Sequence, residues 1–191
     1  MSPETRYDTA APQYPLLPPL VVGLMKKMRI DYLADHERFI LPLAEWHHQE
    51  WSYLRPDQTL EDRIERLRAS CGRREIPTAF IAFDEGGLLG SAILVANDMD
   101  SRPDLSPWLA GVFVHSGRRK CGIGSALVKR VMDEAGAIGV SRLYLFTPDA
   151  SEFYLRLGWK ILERTQFRGV DVTVMAVDLP DKSSDQSADH A

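Results

Sequence analysis

The longest helical period in the chain runs from Ile123 to Ala135. Ile123, Leu127, Val131 and Ala135 recur at four-residue steps, with Val128 and Met132 beside them. That spacing predicts a helix with one face on a sheet. Alternation predicts a half-buried strand over Lys26 to Leu33, with Met28, Ile30 and Tyr32 on one side and Lys27, Arg29 and Asp31 on the other. A helix with Pro42 near its first turn follows. Leu43, Trp46 and Glu50 lie on or near one face of it, beside His47, His48 and Trp51. Thr59 opens a second helix, which Asp62 reaches back to cap. Its apolar stripe is Leu60, Ile64, Leu67 and Cys71, and Gly72 suits its stop.

Thr78 to Phe83 and Leu88 to Val95 read as strands joined by the turn Asp84-Glu85-Gly86-Gly87. Asn97 to Pro107 is a polar loop. Trp108 to Val114 and Arg142 to Phe146 are strands on either side of the long helix. Pro148 and Asp149 start a short helix ending at Gly158. Trp159 to Glu163 and Val170 to Leu179 form a last strand pair. The order is β-α-α-β-β-β-α-β-α-β-β. Hairpins with one strand–helix–strand crossover predict an α/β (α+β) fold, a mixed and mostly antiparallel sheet of about seven strands flanked by about four helices.

Residues 1–22 hold Pro3, Pro12, Pro15, Pro18 and Pro19, which block helix and central strand alike. They read as an extended or disordered arm whose Tyr14, Leu16 and Leu17 could dock on a surface, a second subunit included. One domain is expected over residues 23–179, and residues 180–191 read as a disordered polar tail. The formal net charge of −4 argues against nucleic acid or an anionic membrane as the main partner. The two cysteines, Cys71 and Cys121, stand outside any metal-ligand spacing, so no metal site is expected. With no basic n-region before an apolar run and no apolar run of about 18 residues, the chain reads as cytoplasmic.

The chemistry gathers around Arg118-Arg119-Lys120-Cys121-Gly122-Ile123-Gly124-Ser125, which fits Arg-x-x-Gly-x-Gly counted from Arg119. A glycine-bearing loop that leaves a strand and opens a helix is an anion site. Unpaired N–H groups and the positive helix end point outward there.

This loop after Val112-Phe113-Val114, followed by Phe153-Tyr154-Leu155-Arg156-Leu157-Gly158-Trp159, resembles the GCN5-related N-acetyltransferase (GNAT) family. The second stretch looks like that family's Phe-Tyr-x-x-x-Gly-aromatic signature, and the resemblance covers roughly residues 26–179. It implies acetyl transfer from acetyl-CoA to a primary amine by direct attack in a ternary complex. It also implies that a bulge splays the central strand. Backbone groups of Val112, Phe113 and Val114 would then pair with pantetheine. Arg119, Lys120, Cys121, Gly122, Ile123, Gly124 and Ser125 would cradle the pyrophosphate. Tyr154 would protonate the departing thiolate. Two departures stand out: Lys120 occupies a position where many members carry glycine, and Gly117 replaces a commoner acidic or polar residue.

An amine attacks a thioester only when neutral, and a phenol of ordinary pKa about 10 is a plausible acid for a thiolate. The general base is not legible. His47, His48, His115, Glu45 and Glu50 each have an ordinary surface reading. Trp46, Trp51 and Trp108 read most simply as core. With Glu50 they are also the candidates for the acceptor pocket, which the family builds from its first two helices and strand edges. The acceptor stays open among a small amine or amino acid derivative, an antibiotic, and a peptide N-terminus or lysine. The slight overall acidity leans toward cations through long-range steering. Two rivals remain: an acyl-CoA-binding regulatory module without turnover, and transfer of a longer acyl group. Family members often pair, so a homodimer is compatible.

Overall fold

The computed structural model describes residues 28–180. The expected arm and tail therefore lie outside the described residues, apart from Pro180. Seven strands form one sheet: β1 (Arg29–Tyr32), β2 (Thr78–Asp84), β3 (Gly87–Val95), β4 (Trp108–Val114), β5 (Arg142–Thr147), β6 (Lys160–Phe167) and β7 (Val170–Asp178). Their order across the sheet is β1-β2-β3-β4-β5-β7-β6. Every pairing is antiparallel except β4 with β5. Four helices flank it: α1 (Ile40–Trp51), α2 (Leu60–Ala69), α3 (Ile123–Ala137) and α4 (Ser151–Leu155). This is the expected α+β architecture, element for element.

Two cores lie on opposite faces. Ile123, Leu127, Val131 and Ala135 of α3 pack with Phe80, Leu94, Leu109 and Leu145 on one. Leu43 of α1 and Leu67 of α2 pack with Ile81, Phe83 and Ile93 on the other. A run of consecutive buried residues in β2 and β3 serves both. Buried Glu134 anchors α3. Its carboxylate accepts from the Tyr32 hydroxyl at 2.8 Å, the Arg74 N–H at 2.9 Å and the Arg130 guanidinium at 2.9 Å.

Several boundaries move. β1 is shorter than its alternation because Leu33 turns inward, fully buried, into a 3-10 turn. Thr59 and Asp62 do form the reciprocal cap of α2. That helix stops at Ala69, before Cys71 and Gly72, since Ser70 bends the backbone and its hydroxyl donates to the Arg66 carbonyl at 2.8 Å. Cys71 then bridges to Thr78 as strand. α4 begins at Ser151 rather than Pro148, where Thr147 Oγ1 accepts the Ala150 N–H at 3.0 Å. β6 runs on to Phe167, and Arg168 and Gly169, at φ +50° and +81°, make its hairpin turn.

Candidate active site

The site originates in a disagreement between two adjacent strands. β4 and β5 are in register at one pair, Trp108 with Tyr144. Beyond it they diverge, and the sheet opens toward its edge at Val114. On its other side β4 stays with β3, but the register slips: Ile93 faces Ala110, and Ser91 faces Phe113. The extra residue is a bulge at Gly111, φ +55°. A Cβ there would come within 2.9 Å of Ile93 Cδ1, so glycine fits both the angle and the space. The middle of β4 is consequently half-exposed although it lies centrally in the sheet.

A chain of hydrogen bonds braces the bulge from the α1 side. His47 Nε2 lies 2.9 Å from Ser91 Oγ, and that hydroxyl donates to the Gly111 carbonyl at 2.9 Å. His47 is only 5 % exposed. Burial, with the Arg63 charge adding to it, holds its imidazole down to about 3, so it is neutral at physiological pH.

The opening is a cleft of about 1060 Å³ that passes between the two faces of the sheet. On the α3 face it is lined by Arg118, Arg119, Lys120, Gly122, Gly124 and Ser125. Gly122 caps α3 at φ +79° and supplies no side-chain oxygen, so the first-turn N–H groups receive no side-chain cap. Lys120, the departure from the glycine pattern, sits at φ +64°. A lysine there bears roughly 1 kcal/mol of strain that glycine would not. Arg119 braces the loop: Nε donates to the Val114 carbonyl at 3.0 Å, and Nη2 lies 3.5 Å from Glu50 Oε2. Tyr154 of α4 lines the same end at 8 % exposure. Burial, then the Asp149 charge, pushes its phenol above its ordinary value, so it keeps its proton.

Of the other expected site residues, Val112, Phe113, Val114 and Ile123 line the cleft, as do Glu50 and Trp51. Three do not. Trp108 is fully buried with Met99, Leu105, Phe167 and Val174, and its Nε1–H donates to the Leu105 carbonyl at 2.7 Å. It lies at the unopened end of the strand pair and cannot touch an acceptor. Trp46 is absent from the cleft lining and packs at a tilt against Phe113 and His115, ring centroids 5.4 and 5.0 Å away. The Cys121 side chain points outward, exposed, with Sγ 3.6 Å from the Arg119 carbonyl.

On the α1–α2 face the cleft is walled by residues that the pattern reading passed over: Tyr53, Arg55, Arg63, Arg66 and Asp98. Arg55 donates to the Asp98 carbonyl at 2.6 Å and pairs with its carboxylate at 3.6 Å. Burial pushes the Asp98 carboxyl up, against the pull of Arg55. Arg63 had a legible signal: Leu60, Arg63 and Leu67 fall three and four residues apart, which puts a guanidinium on the apolar stripe.

A family model described as Acetyltransferase (GNAT) family matches residues 40–159. The chain belongs to the GNAT acetyltransferase family. Solved structures share the fold at low identity. Aminoglycoside 6'-N-acetyltransferase complexed with coenzyme A is 19 % identical at TM-score 0.64, over 80 % of this chain and 98 % of its own. The YncA protein from Salmonella typhimurium, solved with its cofactor acetyl-CoA, is 19 % identical at TM-score 0.62, over 84 % and 99 %. The ribosomal-protein-S18-alanine N-acetyltransferase from Escherichia coli is 20 % identical at TM-score 0.57, over 83 % and 98 %. No curated protein sequence matches the chain. Among the described residues of this GNAT protein, no helix is long and apolar enough to cross a membrane.

Proposed function

We propose that this GNAT protein transfers the acetyl group of acetyl-CoA to a primary amine by direct attack within a ternary complex. The observation that carries the reading is the continuity of one cleft. The open edge of β4 from Gly111 to Val114 leads into the uncapped start of α3, and Tyr154 lines that same space. The pantetheine amides would pair with the free backbone groups of Val112 to Val114. The pyrophosphate would lie against the amides from Lys120 to Ser125, with the Lys120 charge beside it. The acceptor would enter from the α1–α2 face, past Trp51 and Glu50.

The amine first loses a proton to water or a neighbouring base. Its nitrogen then forms the new C–N bond at the thioester carbonyl, and the carbonyl oxygen takes the negative charge. A backbone N–H on the open edge of β4 is suited to hold that oxyanion. As the C–S bond breaks, the sulfur carries away the electron pair and accepts a hydrogen bond, then a proton, from Tyr154 Oη, while the adduct nitrogen releases its surplus proton to water or the same base, and Tyr154 regains a proton from water. Because the phenol is pushed up in the free protein, hydrogen-bond donation comes first, and proton transfer completes as thiolate charge accumulates beside it.

Thiol release from acetyl-CoA across an amine panel tests this, comparing wild type with Tyr154→Phe. The expected result is acceptor-dependent release that falls about 100-fold or more in the variant, in the range for loss of a positioned acid, with coenzyme affinity kept. Coenzyme binding with no release for any amine would instead favour a binding module.

A further inference from the structure

On that reading, one side chain joins the coenzyme's end of the cleft to the acceptor's. Arg119 stands in the loop that opens α3, yet its guanidinium reaches past the end of β4 to the α1 face. Three contacts place it there. Nε donates to the Val114 carbonyl at 3.0 Å, Cζ lies 5.9 Å from the centre of the Phe113 ring, and Nη2 lies 3.5 Å from Glu50 Oε2 in the last turn of α1. The Phe113 ring is itself packed by Trp46, His47 and Trp51 of α1. The adjacent Arg118 takes a different partner, Asp84, at 3.7 Å. We propose that Arg119 is exchanged between the two substrate sites. It holds Glu50 in the free protein, passes to the coenzyme's diphosphate when that binds, and so releases Glu50 to the acceptor's ammonium group.

The coenzyme offers a replacement for each contact that Arg119 gives up. Val114 ends the open edge where the pantetheine amides pair, so an amide N–H takes the carbonyl that Nε now occupies. The diphosphate lies against amides that begin at Lys120, the next residue in the chain. A diphosphate presents paired oxygens to a guanidinium, which one carboxylate oxygen at 3.5 Å does not. The existing pair is also cheap to break. Both residues line the cleft, and their side chains are 51 % and 42 % exposed, so water and ligands reach them. An ion pair in that setting contributes little. Such a contact suits exchange, whereas a buried pair would lock the loop.

The exchange has a direction. A primary amine of ordinary basicity arrives protonated. Before the coenzyme binds, it meets a carboxylate already paired with Arg119. Afterwards it meets an unpaired one, placed on the wall by which the acceptor enters. The coenzyme therefore raises affinity for the amine, and by linkage the amine raises affinity for the coenzyme by the same factor.

Calorimetry of coenzyme A binding to the full-length protein tests this as a double-mutant cycle over Glu50→Gln and Arg119→Gln. Glu50→Gln removes the competitor for the guanidinium, so coenzyme A should bind about two- to five-fold tighter, the range of an exposed pair. In the Arg119→Gln background, with its weaker binding, the same substitution should change nothing. A long-range effect of the lost charge would give equal gains in both backgrounds, and a merely structural Arg119 would give none. Either result overturns the exchange. If Arg119→Gln fails to fold, Asp149→Asn is the control. It removes a carboxylate from the same cleft that has no ion pair with Arg119 among the described residues. A gain there equal to that of Glu50→Gln overturns the exchange as well. Amines acetylated in the thiol-release panel give a second measurement. Each should bind the coenzyme A complex at least about two-fold tighter than the free protein, by the same pair energy. That preference should shrink in Arg119→Gln and in Glu50→Gln. A preference that neither substitution alters overturns the release of Glu50. If no amine is acetylated, the acetyltransferase reading fails and the coenzyme cycle still decides the exchange. Failure to bind coenzyme A overturns both.

Discussion

A neutral histidine sealed beside a bulge gives stability a pH dependence. The folded His47 titrates at about 3, against an ordinary value near 6.5. Between those values the unfolded chain binds a proton that the folded one refuses, so stability falls as pH drops below about 6.5. The slope approaches ~1.4 kcal/mol per pH unit, or roughly 2 kcal/mol between pH 6.5 and 5. Urea denaturation at pH 7, 6 and 5 should show this fall, and His47→Gln should flatten it while starting from a lower stability. Equal slopes in the two proteins would mean that another group is responsible. The sequence displayed His47 next to His48 on an amphipathic helix and gave no sign of which one turned inward. Both are compatible with a helix edge, and only the Ser91 hydroxyl, 44 positions away, distinguishes them. The spacing signal at Arg63 is overridden by the opposite habit. A four-residue stripe through Leu60, Ile64 and Leu67 is satisfied without it, and arginine is expected in water.

β4 shows what a single strand must do to open a sheet. Periodicity locates it from Trp108 to Val114, and the structure agrees at both ends. Its bulge is local chemistry: a glycine inside a strand is a recognised sign of one. The divergence from β5 is not local, because it is a relation between two strands that α3 separates in sequence, and no spacing within either strand encodes it. Trp108 keeps its simpler reading as core, and its candidacy for the acceptor pocket lapses because it sits where β4 and β5 still pair; a strand's sequence does not say which of its ends has parted from its neighbour. Gly111→Ala tests the bulge. The new methyl sits at φ +55°, 2.9 Å from Ile93 Cδ1 and 3.4 Å from His47 Cε1. Left-handed strain alone costs about 1–2 kcal/mol. Thermal unfolding should reveal a loss of at least that size, and calorimetry should show coenzyme affinity falling further than stability alone explains. Unchanged affinity would mean that the strand edge does not bind the pantetheine.

The sheet behaves as two half-sheets joined at one strand pair, with β1 to β4 on one side and β5 to β7 on the other. The order of elements announced this arrangement, since hairpins flank one crossover. Net charge carries no information at this scale, because a total of −4 does not reveal that Arg55, Arg63 and Arg66 line one cleft. A ligand lying in the opening would touch both halves and tie them together. Acetyl-CoA at 100 times its dissociation constant should therefore stabilise the protein by about 2.7 kcal/mol. For a chain of this length that corresponds to roughly 5–10 °C in Tm. Location matters as much as magnitude. Hydrogen exchange should slow at the amides from Gly111 to Val114 and in the first turn of α3, because the ligand fills positions that β5 and a side-chain cap leave vacant. The β6–β7 hairpin, already paired along its length, should change little. A Tm rise without protection at the opened edge of β4 would place the coenzyme elsewhere, and the division of labour between the two faces of the cleft would fail with it.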